Sequence, residues 1–317
     1  MVARSAHPGA GLEIAGDMAG RLRELEKSVQ TSLRGKAEAV RLAVTCLLAR
    51  GHLLIEDVPG IGKTTLAQSL ARSVDCGWRR IQFTSDLLPS DVLGVTVFDT
   101  RSSQFDFRPG PVFTNFLLAD EINRTTPRTQ SALLEAMNER QVSIDGRTMP
   151  LPEPFMVIAT QNPADHHGTY PLPESQLDRF LMRVRIGYPD AEAEREIVRQ
   201  PGMPASAGPV MSRAELEEIQ TGVEQVTVDD AIVEYLLSIV ERTRRHPALA
   251  LGVSPRGSQA LYRAAQASAL IEGRMFAIPD DVKHLATAVL GHRVAPSGTL
   301  SGERVIEEIL GETAVPL

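Results

Sequence analysis

The chain has 317 residues, of which 43% are apolar and 23% charged, and this composition is typical of a folded globular protein and argues against a disordered or fibrous one. At roughly 100 to 200 residues per domain, the length predicts about two domains. The net charge of −7 disfavours nucleic acid as the main partner, and two cysteines exclude a disulfide framework or a four-thiolate zinc site, so a reducing cytoplasm is the expected compartment.

Helical periodicity marks two segments ahead of the first strand. Apolar residues recur at helical spacing over residues 21–33 and again over residues 36–49. Residues 1–20 are rich in glycine and lack the apolar run of roughly 7 to 15 residues that a signal peptide needs. No stretch approaches the ~20 apolar residues of a membrane span. We therefore expect a flexible N-terminal tail over residues 1–20 and no membrane insertion.

Short apolar runs then alternate with helical stretches. Five of these runs predict strands, at residues 53–56, 80–83, 116–120, 155–160 and 181–186. Near-continuous apolar strands separated by helices are typical of a parallel sheet that is covered on both faces. The sequence therefore predicts an α/β core of three layers, with a five-stranded parallel sheet, over residues 21–190.

Two segments depart from this alternation and predict hairpins that project from the sheet layer. In the first, two valines are expected to face two phenylalanines across a turn at 99–103: Val95, Val97, Phe105 and Phe107. In the second, Val142 and Ile144 precede Asp145-Gly146, which is a favoured two-residue hairpin loop.

The strand patterns end after Pro189. Residues 201–209 are rich in Pro, Gly, Ala and Ser and predict a loop or hinge. Four helical segments follow, at residues 213–225, 230–245, 255–272 and 279–290. We therefore expect a small all-α domain over residues 191–317.

The residues after the first strand have the pattern of a phosphate-binding loop. In such a loop, backbone N–H groups and a helix N-terminus converge on the phosphates, Lys63 neutralises their charge, and the Thr64 hydroxyl reaches Mg²⁺. Asp57 stands where the usual pattern has its first glycine, and we expect this difference to change nucleotide affinity little. The alternative to a phosphate-binding loop is an ordinary Gly-Pro turn between strand and helix. The predicted nucleotide-binding residues are Asp57, Val58, Pro59, Gly60, Ile61, Gly62, Lys63, Thr64 and Thr65.

Two adjacent carboxylates end the third strand. At the carboxyl end of a parallel strand, Asp120 can hold the Mg²⁺ shell while Glu121 accepts a proton from the attacking water. Acidic pairs after strands are commonly solvated, and it is the combination with the phosphate loop that favours a functional interpretation. The pair predicts hydrolysis of the nucleotide, beyond its binding.

Three further polar side chains are candidates for this chemistry. Asn162 follows the fourth strand, beside the phosphate loop, where its amide can orient the water or contact the γ-phosphate; an Asn-Pro turn is the alternative. Arg256 lies in the first turn of a helix that Ser254 caps, and an arginine at this positive end of the helix dipole favours an anionic partner. Without a nucleotide site, Arg179 and Arg256 would be surface salt-bridge residues.

Seven segments taken together resemble the MoxR family of AAA+ ATPases over about residues 22–294. They are EDVPGIGKT at 56–64, DLLPSD at 86–91, FRPGP at 107–111, LADEINR at 118–124, ATQNP at 159–163, LDRF at 177–180 and SPR at 254–256. The phosphate loop alone occurs in many NTPases, whereas the combination is specific. The resemblance implies a P-loop AAA+ core with two hairpin insertions and a small all-α lid, which binds ATP and Mg²⁺.

The resemblance also implies roles for single residues. Asn162 is similar to the sensor 1 residue, Arg179 to the arginine finger that reaches a neighbouring subunit's γ-phosphate in trans, and Arg256 to the sensor 2 residue of the lid. Leu33, Arg34 and Gly35 occupy the place of the adenine contacts. The two hairpins are similar to the helix 2 insert and the pre-sensor 1 hairpin of this clade.

A finger supplied in trans, which changes phosphoryl-transfer rates by ~10³ to 10⁵-fold, requires a homo-oligomer. Similar proteins form hexameric rings that remodel a bound partner. MoxR relatives are chaperone-like, and they often act with a protein that carries a von Willebrand A domain, in enzyme maturation or metal cofactor insertion. The resemblance therefore implies a cytoplasmic ATPase that converts ATP and water to ADP and phosphate.

Two alternatives stay open. A nucleic-acid motor of the same superfamily would need basic or aromatic residues facing a pore, and the second hairpin offers two arginines against two acidic residues: Arg140, Arg147, Glu139 and Asp145. A nucleotide-responsive binding switch with negligible turnover would not need Glu121.

The Asp-His-His cluster at 165–167 lacks the spaced ligands of a zinc site.

Overall fold

A computed structural model describes residues 8–162, 168–199 and 208–316 of the chain, with side chains from Gly16 onward. The cluster at 165–167, Pro163 and most of the predicted 201–209 loop lie outside the described residues. Helices alternate with strands up to about residue 190 and predominate after it.

The strands, in chain order, are β1 Leu53–Glu56, β2 Trp78–Gln82, β3 Gly94–Asp99, β4 Gln104–Pro109, β5 Phe116–Asp120, β6 Gln141–Ile144, β7 Arg147–Pro150, β8 Met156–Gln161, β9 Met182–Val184, β10 Leu249–Leu251 and β11 Ala295–Pro296. The helices are α1 Pro8–Ser32, α2 Ala37–Leu48, α3 Lys63–Ser73, α4 Pro89–Leu93, α5 Pro127–Glu139, α6 Glu174–Leu177, α7 Ala191–Arg199, α8 Arg213–Val223, α9 Asp230–Arg245, α10 Pro255–Ile271, α11 Pro279–Leu290 and α12 Gly302–Glu312. A short 3-10 helix, Ile122–Arg124, follows β5.

The central sheet has five strands in the spatial order β2-β5-β8-β1-β9, and every pairing in it is parallel. The prediction of a five-stranded parallel sheet is confirmed. Because the strands are parallel, the loops that follow β1, β5 and β8 meet at one edge of the sheet, here called the carboxyl edge. The residues that precede β1 and β9 lie at the opposite, amino edge.

Side chains of the central strands alternate between two apolar clusters, one on each face of the sheet. Leu53 and Ile55 pack into the cluster that α1, α2 and α3 cover, whereas Leu54 packs into the cluster that α5 covers. Strands β5 and β8 alternate in the same way. This arrangement is the three-layer core that the sequence predicted.

Both predicted hairpins are present, as β3 with β4 and as β6 with β7. The second has the predicted two-residue loop, in which Asp145 and Gly146 both have positive φ. The expected pairing in the first was wrong: Val95 lies opposite Arg108 and Phe98 opposite Phe105. The sequence analysis assumed a loop of five residues, whereas the loop between the paired residues Asp99 and Gln104 has four. This difference of one residue shifts the register, so that the valines lie opposite polar residues and not opposite the phenylalanines.

Helix α1 begins at Pro8, ahead of the predicted start at residue 21, so helical backbone covers much of the segment expected to be a tail. The glycines of this segment are poor helix formers, which is why the sequence favoured a tail. The apolar face of α1 is buried against the core at Leu22, Leu25 and Val29.

The C-terminal segment is helical with one small addition. Helices α9 and α11 have the predicted bounds, α8 and α10 end within two residues of them, and α7 and α12 were not predicted. The sequence also missed the antiparallel pair of β10 and β11, which are too short to show a strand period. Helices α8 and α10 pack on α1 and α2. None of the helices in the described part has the length and apolar character that a membrane span requires.

Candidate functional site

The loop between β1 and α3 has the backbone of a phosphate-binding loop. Gly60 and Gly62 have φ of 85° and 98°, which L side chains rarely adopt. A Cβ on Gly62 would lie 2.7 Å from Leu33 Cδ1, so the site also lacks space for a side chain there. Asp57 is not among the described residues with positive φ. Glycine is therefore required at 60 and 62 and not at 57, which explains the departure from the usual pattern.

Asp57 instead joins this loop to the chain that follows β9. Its Oδ2 accepts the Gly187 N–H at 2.6 Å, and its Oδ1 accepts the Val58 N–H at 2.9 Å. Its own N–H donates to the Gln161 carbonyl at 3.1 Å. The carboxylate thus connects the phosphate loop with the segment that leads to α7, a role that the sequence did not reveal.

Lys63 is buried at the start of α3, and its ammonium lies inside the loop. Its Nζ donates to the Asp57 carbonyl at 2.5 Å. Burial lowers the pKa of Lys63, and the nearby carboxylates of Asp120, Asp57 and Glu121 oppose this shift. Lys63 forms no ion pair within the described residues. A phosphate group would supply the direct counter-charge that this lysine lacks.

Thr160 organises the two carboxylates at the end of β5. Its Oγ1 donates to Asp120 Oδ1 at 2.6 Å and accepts the Glu121 N–H at 2.8 Å. Glu121 has φ 57° and ψ 50°, a left-handed conformation that costs a non-glycine residue roughly 1 kcal/mol or more. Asp120 thus ends β5, whereas Glu121 leaves the strand and precedes the short 3-10 helix.

Two arginines that the sequence analysis did not single out pair with these carboxylates. Arg80 on β2 donates to Asp120 Oδ2 at 2.6 Å through Nη2 and at 3.1 Å through Nε. Arg124 donates to Glu121 Oε2 at 3.0 Å. Both guanidinium groups are about half exposed, so neither pair is sealed from solvent.

Asn162 follows β8, and β8 lies between β5 and β1 in the sheet. This position places the buried Asn162 between the carboxylates and the phosphate loop; its contact with the γ-phosphate stays a prediction. The neighbouring Gln161 has a buried Nε2 that finds no hydrogen-bond partner among the described residues. The carboxyl edge therefore gathers Lys63, Asp120, Glu121 and Asn162.

The segment proposed for adenine lies beside the phosphate loop. Leu33 contacts the loop at Gly62, and Gly35 has φ 69°. A Cβ on Gly35 would lie 2.9 Å from the Ala193 Cβ of α7. Arg34 pairs with Glu196 of α7 at 3.5 Å. Residues 33–35 thus connect the phosphate loop with α7.

Arg179 and Arg256 lie at the opposite, amino edge. Arg179 comes shortly before β9, and Leu181, two residues further on, donates its N–H to the carbonyl of His52, the residue before β1. At a rise of ~3.3 Å per residue, the four residues of β1 separate this edge from the phosphate loop by roughly 13 Å. The structure therefore brings the two arginines together and keeps them away from Lys63 of the same chain.

A cavity of about 200 Å³ at this edge, here called the arginine cavity, is lined by six arginines and one carboxylate: Arg50, Arg140, Arg179, Arg256, Arg263, Arg293 and Asp178. Arg179 donates through Nη1 to the Leu134 carbonyl at 2.7 Å, and its buried Nε has no partner in the part of the chain that the structure describes. Such an excess of guanidinium groups is suited to an anion with several oxygens.

Asp178, the one carboxylate among the described lining residues, already has partners. Asp178 accepts from Arg293 Nε at 2.8 Å and from Ser254 Oγ at 3.2 Å, and both partners belong to the helical segment. Burial lowers the pKa of Arg293, and the Asp178 carboxylate opposes this shift. Four lining arginines form no ion pair within the described residues: Arg140, Arg179, Arg256 and Arg263.

An α/β core with a phosphate-type loop after its first strand and a helical lid defines the AAA+ class of ATPase. Residues 52–182 match the family model described as the ATPase family associated with various cellular activities (AAA), and residues 241–310 match the AAA lid domain. A crystal structure of a candidate ATPase from Cytophaga hutchinsonii has a TM-score of 0.89 and 34% identity, and it covers 96% of this chain and 98% of that chain.

The chain is 48% identical to the uncharacterized protein YeaC of Bacillus subtilis over 89% of this chain and 91% of that protein. It is 41% identical to Chaperone MoxR1 of Mycobacterium tuberculosis over 99% of this chain and 87% of that protein. Protein MoxR of Paracoccus denitrificans is 31% identical over 88% of this chain and 89% of that protein. The chain belongs to the MoxR family of AAA+ ATPases, which confirms the resemblance found in the sequence.

Proposed function

We propose that the protein binds Mg-ATP at the carboxyl edge of its sheet, hydrolyses it, and uses the cycle to remodel partner proteins. The observation that carries this proposal is the gathering of Lys63, Asp120, Glu121 and Asn162 at one edge of one sheet. Lys63 there has no direct counter-ion among the described residues, as expected of a group that binds phosphate.

The donor set fits Mg²⁺. Thr64 in the first turn of α3 offers a hydroxyl oxygen, and Asp120 at the end of β5 offers a carboxylate; both are hard ligands. Asp120 Oδ1 accepts one hydrogen bond, from Thr160, and keeps a free lone pair, whereas Oδ2 accepts two from Arg80. When bound, Mg²⁺ would neutralise the charge of the phosphates. Thr64 and Asp120 would hold it.

Glu121 is the proposed general base. Arg124 occupies its Oε2, which leaves Oε1 for the attacking water, and the Thr160 contact to the Glu121 N–H keeps the carboxylate at the strand end. Asn162 is proposed to orient the same water or the γ-phosphate through its amide. Residues 57–65 are proposed to hold the phosphates through backbone N–H groups and Lys63.

Arg179 and Arg256 are proposed to act on the ATP of a neighbouring subunit. One chain cannot bring them to its own phosphate loop, because roughly 13 Å of strand separates the two edges. In a homo-oligomer, proposed as a hexameric ring, the arginine cavity of one subunit would meet the phosphate loop of the next. Both arginines lack a carboxylate partner in the described part of the chain, which supports this assignment.

The proposed clients are proteins, with a von Willebrand A domain protein as a partner in enzyme maturation or metal cofactor insertion. A relative at 41% identity is named a chaperone. The first hairpin carries Phe98 and Phe105, which are 48% and 67% exposed and have ring centroids 5.1 Å apart. Exposed aromatic side chains of this kind are suited to transient contact with a client.

The test is phosphate release from Mg-ATP by the wild type, Lys63→Ala and Glu121→Gln, together with ATP binding by each. The proposal predicts turnover by the wild type, weakened binding by Lys63→Ala, and binding without turnover by Glu121→Gln. ATP binding without turnover by the assembled wild type would favour the binding switch. Turnover by Glu121→Gln at the wild-type rate would refute Glu121 as the base.

A further inference from the structure

We propose that Arg140 is a third arginine that contacts the phosphates of a neighbouring subunit's ATP, in addition to Arg179 and Arg256. This inference rests on the proposed function, since it needs the composite site between subunits. Arg140 follows α5 and lines the arginine cavity with Arg179 and Arg256. The three arginines reach the cavity from three different elements: Arg140 from the end of α5, Arg179 from the segment before β9, and Arg256 from α10.

The side chain of Arg140 has little else to bind. Its one side-chain hydrogen bond among the described residues runs from Nη2 to the Arg50 carbonyl at 3.4 Å, which is near the limit for such a bond. It forms no ion pair within that part of the chain. A half-buried guanidinium group without a carboxylate is costly unless an anion joins it. The triphosphate of a neighbouring subunit is an anion that would do so.

The backbone at Arg140 is a second and independent observation. The residue caps α5 in a left-handed conformation, with φ 52° and ψ 28°. Glycine is the residue that usually takes this position at a helix end, because a side chain strains the backbone there. The chain then enters β6, and the Arg140 carbonyl accepts the N–H of Leu151, the residue after β7, at 2.9 Å. Arg140 therefore strains the backbone at a position that suits glycine, and a function for its side chain would explain why arginine is present.

The position yields an experiment that separates the side chain from the fold. Arg140→Gly removes the guanidinium group while it relieves the backbone, so we expect a protein at least as stable as the wild type. If Arg140 contacts phosphate in the transition state, kcat should fall roughly 10²-fold, as for the loss of one preorganised donor, with the thermal midpoint unchanged or raised. Unchanged kcat in Arg140→Gly would overturn the proposal.

Asp75→Gly is the matched control. Asp75 also has positive φ, at 48°, it follows the end of α3, it is exposed, and it does not line the arginine cavity. Relief of its backbone should stabilise the protein in the same way and leave the ATPase rate at the wild-type level. A fall in kcat that the Asp75→Gly control shares would be an effect of backbone relief alone and would count against Arg140.

Mixed assemblies decide whether Arg140 acts on its own chain or on the next. Alone, Arg140→Gly is expected to be roughly 10²-fold slower than the wild type, and Glu121→Gln is expected to be inactive. In a mixed ring, an Arg140→Gly protomer keeps its own Glu121 and receives Arg140 from a Glu121→Gln neighbour, so activity should return to a measurable fraction of wild type. A control mixture of Arg179→Ala with Glu121→Gln tests the same geometry for the predicted finger.

The two mixtures distinguish the possible failures. Recovery in both supports the inference. Recovery with Arg179→Ala alone would show that the composite site exists and that Arg140 is not part of it. Recovery in neither would refute the composite site, and with it both the proposed function of Arg179 and this inference.

Discussion

Loss of the Asp178 carboxylate is expected to loosen the lid from the core and to disturb Arg179 at the same time. Asp178 is the residue before Arg179, and it bonds two lid residues, Arg293 and Ser254. Arg293 also donates to the carbonyls of Leu181 at 3.0 Å and Phe180 at 2.6 Å. One short segment of the core thus carries both the lid attachment and the proposed finger.

The magnitude follows from the burial of the two partners. The Arg293 side chain is 2% exposed and that of Asp178 is 19% exposed, with 2.8 Å between Nε and Oδ1. Removing one partner of a buried pair leaves the other charge uncompensated and costs ~3 to 5 kcal/mol. Because Arg293 keeps its carbonyl acceptors, we expect Asp178→Ala to lower the free energy of unfolding by about 3 kcal/mol.

Urea unfolding of the nucleotide-free protein, at one fixed protein concentration, measures this loss. Arg293→Met and the double variant complete a mutant cycle, in which we expect a coupling energy of about 2 kcal/mol. Glu312→Ala is the matched control. It breaks a lid pair with Arg242 at 3.5 Å in which both side chains are largely exposed, and such pairs contribute less than ~1 kcal/mol.

The ATPase rate gives the second readout. Asp178→Ala should lower kcat toward that of Arg179→Ala, while Glu312→Ala keeps the wild-type rate. A free energy of unfolding within ~0.5 kcal/mol of wild type for Asp178→Ala would refute this account, because a surface substitution without a structural role has an effect of that size.

Two further predictions concern the phosphate loop and a buried histidine. Asp57→Gly should lower the free energy of unfolding by about 2 kcal/mol through the lost Gly187 bond, with ATP affinity changed only a few-fold; unchanged stability in urea would contradict the role given to this carboxylate. Burial lowers the pKa of His52 to about 4 in the folded protein. As the pH falls below about 6.5, His52 is therefore protonated in the unfolded chain while it is still neutral in the folded protein. The free energy of unfolding should therefore drop by up to about 3 kcal/mol between pH 6.5 and 4. In His52→Gln, whose amide can still bond the Met137 carbonyl and the Val157 N–H, this part of the pH dependence should be absent when unfolding is measured across the same range.

The sheet and the carboxyl-edge site were accessible from the sequence because local signals determine them. Strands such as Phe116–Asp120 are continuous apolar runs, and a loop with Gly60, Gly62 and Lys63 after a strand has few other structural explanations. Parallel pairing then brings the loop ends together without further information. Comparison with known proteins confirmed the family that these motifs indicated.

The polar contacts between distant segments were not accessible in this way. The bond between Asp57 and Gly187, and the pair of Arg80 with Asp120, join residues that no periodicity relates. Arg124 was visible in the LADEINR motif, yet its bond to Glu121 depends on the left-handed backbone at Glu121. The predicted register of the first hairpin was wrong for a related reason, because a loop that is one residue shorter changes which side chains lie opposite each other.

The most direct test of the composite site is the Mg-ATP hydrolysis rate per protomer as a function of protein concentration, for the wild type and for Arg179→Ala. The account predicts a wild-type rate that rises as subunits assemble, and a variant that assembles to the same size yet stays at least ~10³-fold slower than the assembled wild type. A wild-type rate per protomer that is independent of concentration down to the monomer, or an assembled Arg179→Ala that hydrolyses at the wild-type rate, would contradict it.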